Sequence, residues 1–388
     1  MMEMETFLGY ERPDGTVGIR NHVAVIPTVA CANGVAGMIA RAVPEVVALY
    51  HGHGCGRAVE IEMHTTTLAG LGKNPNVAAV LVIGLGCETI KADVLAHSIA
   101  ESKKPVEYLV IQEQGGSRKT ALKGIENVRN MLDEANALVR KPFPLENLIL
   151  GLECGGSDAF SGVTANPSVG LAADWLVDQG CTVILTEATE MIGTSHILER
   201  RAARTYVAEK IKKVVADAEK RTDDILGPLA SMVIAPGNMD GGMSSIREKA
   251  LGCIIKAGSR RINQVVEYGE IPSEKGVVIM DGPGYDIESL SGLAAAGSQM
   301  IIFTTGRGTP VGFPIVPVIK VASTSKLYHA MQDDMDINAG VVLEGRNLRD
   351  VADEIILFAL DVMNGRQTKA QLNDSESMVC LYTLTPAF

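Results

Sequence analysis

The sequence predicts an α/β chain of two Rossmann-like domains with mostly parallel sheets, and three observations predict it. Apolar runs of strand length alternate with helical segments. The alternation restarts after the KPFP of residues 141–144. Glycines, thiols and charged groups gather just behind the apolar runs, as they do at the carboxyl ends of strands in open α/β sheets. A chain of 388 residues also exceeds what one hydrophobic core usually serves. The expected domains are residues 1–145 and 146–388, with the active site between them at the strand ends.

In the first domain, VAVIPTV (23–29), VVALY (46–50), AVLVIGLG (79–86) and VEYLVIQ (106–112) read as buried parallel strands. NGVAGMIARAV and VLAHSIAESKK read as connecting helices, and a charged amphipathic helix is expected over about 117–140. The second domain starts with LILGLEC (148–154), a helix over PSVGLAADWLVDQ, TVILTE (182–187) and a long charged helix from roughly 197 to 220. It continues with MVIAPGN (232–238), helix-like REKALGCIIKAG, VVIMDGPG (277–284), MIIFTTGRG (300–308), VIKVAS (318–323) and a closing helix, RDVADEIILFALDVM.

Composition removes several function classes. No stretch approaches the ~18 consecutive apolar residues of a membrane span. The net charge of −11 opposes a nucleic-acid role, which needs a cationic footprint. The first residues carry acids where a signal peptide carries basic and then apolar residues, so a cytoplasmic address is expected. In that reducing compartment the seven cysteines are thiols or metal ligands rather than disulfides.

Five cysteines lie in or beside the strand-end stops: Cys31, Cys55, Cys87, Cys154 and Cys253. Thiolate-rich sites select iron, zinc or iron–sulfur clusters. No pair has CxxC spacing, so a metal site requires convergence in three dimensions. HGHGC places His51, His53 and Cys55 on one side of an extended stretch, as metal-ligand or acid/base material. ECGGSD joins Glu153, Cys154, Ser157 and Asp158, while TEATE adds Glu187 and Glu190. Arg307, between glycines in TTGRGTP, suits a bidentate grip on a carboxylate. Lys320 lies in an apolar strand, where it needs an anion or a lowered pKa. The plain alternatives are small buried cysteines, hydrogen-bonded loop histidines and capped glycine turns. GLGCE and GPGYD lack the G-x-G-x-x-G pattern, which disfavours NAD, and neither a P-loop nor a G-x-S-x-G elbow is present.

Several strings in fixed order, DGTVGIRNHVAVIPTVACANG, NPNVAAVLVIGLGCE, GLECGGSDAFSGVTANPSVG, TEATEMIG, APGNMDGG, EKALGCIIKAG and FTTGRGTP, closely resemble the altronate/galactarate dehydratase family over about residues 8–365. The resemblance implies iron-dependent dehydration of aldonic or aldaric acids to 2-keto-3-deoxy acids. In the altronate branch the product is 2-keto-3-deoxy-gluconate of hexuronate catabolism. The family pattern keeps residues matching Cys31, His51, Cys55, Cys87, Glu88, Glu153, Cys154, Asp158, Asn166, Glu187, Cys253 and Arg307. Members often carry an N-terminal small β domain, which here is expected as a separate subunit. The sulfolactate sulfo-lyase large subunit is similar but lacks the cysteines matching Cys55 and Cys87. PGNMDGGMSSIREKALG departs from the more usual PGNxAGGITTLEDKSLG and leaves the exact sugar acid open.

The resulting expectation is α-proton abstraction with a metal-stabilised enediolate. His51, Glu153, Asp158, Arg307 and Lys320 are the catalytic candidates, with His51 as base or ligand. Asn166, Ser157, Asn238, Arg307 and Thr309 are candidates for substrate binding. Cys55, Cys87, Cys154, Cys31 and Glu88 are candidates for holding Fe2+ or an iron–sulfur cluster. A homo-oligomer is expected. Carbon–sulfur elimination from a sulfonated acid, a galactarate-type reaction, and a non-catalytic sugar-acid-binding or iron–sulfur carrier protein are the alternatives.

Overall fold

The computed structural model describes residues 6–232, 234–376 and 378–385. Strand β1 (Thr6–Glu11) pairs antiparallel with β2 (Val17–Gly18). Strands β3 (His22–Pro27), β4 (Val46–Ala48), β5 (Val77–Gly84) and β6 (Val106–Val110) form a parallel sheet in the order β4-β3-β5-β6. The Pro-rich KPFP is itself a strand, β7 (Lys141–Pro144), antiparallel to β1. This small sheet was not expected from the sequence, because two prolines on an edge strand read locally as a linker.

The second block holds β8 (Ile149–Cys154), β9 (Thr182–Leu185), β10 (Ile262–Val266), β11 (Gly276–Met280), β12 (Met300–Thr305), β13 (Val318–Ala322) and β14 (Ile337–Asn338). They form one parallel sheet in the order β10-β11-β9-β8-β12-β13-β14. The mixed α/β architecture with parallel sheets is the one the apolar runs predicted. MVIAPGN is not a strand: Pro236–Asp240 is a helix, and Val233 lies outside the described residues. The long charged helix divides into Ser195–Arg200 and Thr205–Leu226.

Chain order reverses around β8, which is flanked by β9 on one side and β12 on the other. A crevice at the carboxyl end of such a switch point is where an open α/β sheet binds ligands. The two parallel sheets also share a core, in which Ala24, Ile26, Val80 and Val82 join Met280, Leu293, Ile301 and Phe303. At this seam the helix Ile61–Lys73 approaches Asp286–Ala295 so closely that a Cβ on Gly70 would lie 2.4 Å from the Ala295 carbonyl oxygen. The Asn74 and Asn76 amides donate across it to Ala294, Ser298, Gln299 and Ile315 carbonyls.

A tail over residues 378–385 returns to the first block. Buried Glu60 accepts from Leu384 N at 2.9 Å, Thr385 N at 2.6 Å and Thr385 Oγ1 at 2.7 Å. His64 Nε2 bonds the Tyr382 carbonyl at 2.8 Å, and Arg57 donates to the Thr385 carbonyl. Among the described residues no helix is long and apolar enough to cross a membrane.

Candidate active site

The carboxyl end of β8 delivers Glu153 and Cys154 into a buried polar cluster. Cys154 Sγ donates to Glu190 Oε2 at 2.9 Å and stands 3.2 Å from Cys253 Sγ. Lys256 donates to the same sulfur at 2.9 Å and pairs with Glu187. Lys249 pairs with Glu190, and Ser289 donates to Glu153. Glu187, Glu190 and Lys256 are each at most 3% exposed, so these charges persist only because they compensate one another. Glu187 sits at φ 69°, ψ 61°, a left-handed backbone that non-glycine residues seldom adopt.

Electrostatics separates the carboxyls. Burial, reinforced by Glu187, pushes Glu153 well above the usual range, toward the neutral acid. Burial and then the charge of Glu190 bring Glu187 to about 7. Glu190 is held below its ordinary value, because Lys249 and Lys256 outweigh the burial that opposes its ionisation. Burial, then Cys253, raises the Cys154 thiol well above its ordinary value. Among the described residues, Glu153 Oε1, Glu187 Oε1, Ser157 Oγ and Thr186 Oγ1 are buried without a hydrogen-bond partner.

Above the cluster opens a cleft of about 920 Å³, lined among others by Gly155, Gly156, Glu190, Lys249, Asp286 and Arg307. The Arg307 guanidinium makes no ion pair or side-chain hydrogen bond among the described residues, leaving its fork open. Asp286 opens the helix Asp286–Ala295, and its carboxylate lies against Gly155: a Cβ there would be 2.3 Å from Oδ2. Burial, then the Glu190 charge, raise it to about 6.

Other expected residues hold the surrounding backbone. Asp158 accepts from Ser161 N and Oγ, both at 2.8 Å, and from Ser323 Oγ at 2.9 Å. Asn166 donates to the Gly252 carbonyl and accepts from Thr304 Oγ1. Asn238 accepts from Ala235 N and donates to the Ser157 carbonyl. Thr309 Oγ1 accepts from Val311 N. Lys320 Nζ donates to the Pro310 and Val311 carbonyls, and burial lowers its pKa to about 8. It has backbone partners where an anion was one expectation.

The first block's candidates assemble separately. Backbone bonds tie their loops together, Ala30 N to the His53 carbonyl at 2.8 Å and Thr89 N to the Gly54 carbonyl at 3.2 Å. Cys31, Cys55 and Cys87 are exposed on these loops, and Cys55 lines a small hollow with Arg57 and His64. Among the described residues, the lining of the cleft above Cys154 runs from Gly155 to Arg307 and includes none of these first-block candidates. Glu88 accepts from Thr28 Oγ1, Leu85 N and Gly86 N, which makes it the staple of its own loop rather than a free ligand. His51 is 0% exposed; its Nδ1 accepts from His53 N, and its Nε2 lies 2.6 Å from the Pro27 carbonyl. Both ring nitrogens are occupied, and burial lowers its pKa to about 4. It does not share one side with exposed Cys55, because residues 51–56 are not an extended strand.

Among the described residues, the one set of three His, Cys, Asp or Glu side chains with ligand atoms within 4.8 Å of one another is Cys154, Glu190 and Cys253. Of the metal candidates read from the sequence, Cys154 alone is in it. Glu190 was visible as a strand-end acid and Cys253 as a thiol within the helix-like REKALGC segment, but their meeting depends on sheet order. Asp286 was overlooked inside GPGYD, where an acid opening a helix just beyond a buried strand was the available signal.

Two family models match this chain: D-galactarate dehydratase/altronate hydrolase, second domain, over residues 9–136, and D-galactarate/altronate dehydratase, C-terminal, over residues 145–385. The chain belongs to the D-galactarate/altronate dehydratase family. It is thereby a hydro-lyase. It is 36% identical to altronate dehydratase of Bacillus subtilis, covering 97% of this chain and 77% of that protein. It is also 36% identical to (2R)-sulfolactate sulfo-lyase subunit beta of Chromohalobacter salexigens, over 94% of each. Galactarate dehydratase (L-threo-forming) of Escherichia coli is 34% identical, over 94% of this chain and 74% of that relative. Both of these dehydratases are longer than the region this chain matches.

Proposed function

We propose that this protein dehydrates an altronate-like aldonate to a 2-keto-3-deoxy acid. The observation that carries this reading is the Arg307 fork, without an ion-pair partner among the described residues, in a cleft over a buried, charge-compensated acid–thiol–lysine cluster. Arg307 grips the substrate carboxylate in two charge-assisted hydrogen bonds, which also stabilises the dianion formed as the α proton leaves. Gly155 and Gly156 leave room for the sugar-acid backbone at the strand end.

We assign the iron implied by the family resemblance to Cys154, Cys253 and Glu190, whose two sulfurs and carboxylate oxygen lie within 4.8 Å of one another and form a thiolate-rich donor set of the kind that holds iron or zinc. Bound there, iron supplies Lewis acidity, worth several kcal/mol of charge stabilisation. Lys256 and Lys249 balance the carboxylates on either side. Seven unpaired thiols accord with a reducing, cytoplasmic setting.

A second reading has one specific observation behind it. The sulfo-lyase relative matches over 94% of both chains, whereas the dehydratases are longer. That relative is named a subunit beta, which supports a partner subunit here and keeps carbon–sulfur elimination in view. The deciding experiment is anaerobic iron reconstitution followed by assay against aldonates, aldarates and sulfolactate, with and without a small partner. A keto-deoxy acid supports the dehydratase. Sulfite and pyruvate support the lyase. No turnover of any of them overturns both in favour of a binding protein.

A further inference from the structure

The dehydratase reading requires a base for the α proton, and the histidine expected to serve is committed elsewhere. His51 has both nitrogens bound and no exposed surface. Other carboxyls near the cleft serve no better. Glu153 and Glu187 each keep one buried oxygen without a hydrogen-bond partner among the described residues but do not line the cleft, Glu190 is paired with Lys249, and Asp158 accepts three hydrogen bonds within its own framework. A group that must accept a proton from carbon needs an uncommitted lone pair facing the substrate.

Asp286 meets that requirement. It lines the cleft, is partly exposed, and among the described residues accepts no hydrogen bond from another residue, only one from its own backbone amide. Its backbone is fixed at the first position of the helix Asp286–Ala295, whose amino end favours a carboxylate. Its oxygens occupy the space a side chain at residue 155 would take, at 2.3 and 2.8 Å from that absent Cβ, one residue beyond Cys154. Glycine at residue 155 is therefore what lets this carboxylate reach the strand end.

We propose that Asp286 is the general base that takes the α proton of the sugar acid. This rests on the dehydratase reading and names the base within it. The Cα–H bond breaks, its proton passes to a carboxylate oxygen of Asp286, and its electron pair enters the enediolate of the carboxylate held by Arg307. The pair then forms the α,β double bond as the β carbon–oxygen bond breaks. The departing hydroxide and the proton that Asp286 returns sum to one water, and the enol tautomerises to the ketone. A carboxyl raised to about 6 by burial and Glu190 is ionised at neutral pH yet keeps useful proton affinity.

The test uses iron-loaded protein and compares wild type, Asp286→Asn and Asp286→Glu. A 3-deoxy analogue of the substrate, which can exchange its α hydrogen but cannot eliminate, is incubated in D2O. Wild type should exchange that hydrogen. Asp286→Asn should slow exchange and kcat by roughly 10²–10⁴-fold, with KM, iron content and melting temperature near wild type. Asp286→Glu keeps the charge at the helix start, should fold normally and should lie between the two. Asn-variant exchange within tenfold of wild type would overturn the assignment. If the Asn variant does not fold, Glu-variant exchange equal to wild type would overturn it too. A wild type inactive on every sugar acid overturns the dehydratase reading itself and takes this base with it.

Discussion

Cys154 and Cys253, 99 positions apart in sequence, hold their sulfurs 3.2 Å apart beneath the cleft. Strand β8 supplies one, and the helix Ile246–Cys253 ends on the other. This juxtaposition makes Cys253 as important to the candidate metal site as Cys154, although it sits on a helix rather than in a strand-end loop. Cys253→Ser should lower bound iron roughly tenfold or more, since first ligands matter at least as much as their supporting partners. Cys380→Ser, whose sulfur lies 3.9 Å from Glu288, should leave it unchanged. Metal analysis after anaerobic reconstitution reads the difference, and equal iron in both variants would remove the ligand assignment.

Arg307→Lys keeps the charge but loses the fork. Charged hydrogen bonds contribute about 1.5–3 kcal/mol each, so KM for the sugar acid should rise by roughly 10- to 100-fold. Steady-state kinetics would show this, and an unchanged KM would place the substrate carboxylate elsewhere.

His51 makes stability depend on pH. Its folded pKa of about 4 lies below the ordinary 6.5, so the unfolded chain binds more protons between those values. Stability should therefore fall as pH drops from 6.5 toward 4, by at most roughly 3 kcal/mol from this residue. Denaturant unfolding at pH 7 and pH 5 checks it. His51→Gln should flatten the slope and lower stability while the folded fraction keeps activity within a few-fold. A much larger activity loss in fully folded variant would return His51 to the chemistry.

Glu60 anchors the tail through three donors from Leu384 and Thr385. Glu60→Ala leaves them without an acceptor and should cost about 1–3 kcal/mol, whereas Glu60→Gln retains an acceptor and should cost less. Faster proteolysis near residue 378 in the Ala variant is the expected sign, and unchanged cleavage in both would show that other contacts hold the tail.

Much of the fold was legible because buried parallel strands such as β5 and β12 are apolar throughout, so their ends stand out. The crowding of Glu153, Cys154 and Arg307 behind such runs located the cleft for the same reason. Which strand ends meet was not legible. The runs do not show that β8 neighbours β9 and β12 in one sheet while the loops of Cys31, Cys55 and Cys87 crown another. β10 was missed because INQVV carries partly exposed polar residues at an edge. The commitment of His51 came from a carbonyl 24 positions away and could not be seen locally.

The clasp between Glu60 and the tail bears on how such sequences can be recombined. The acceptor lies in the first family block and its donors lie at the far end of the second. Swapping the first block between relatives at the seam near residue 140 would pair a foreign carboxylate with native donors. A functional chimera would have to carry residues 378–385 along with the block they grip.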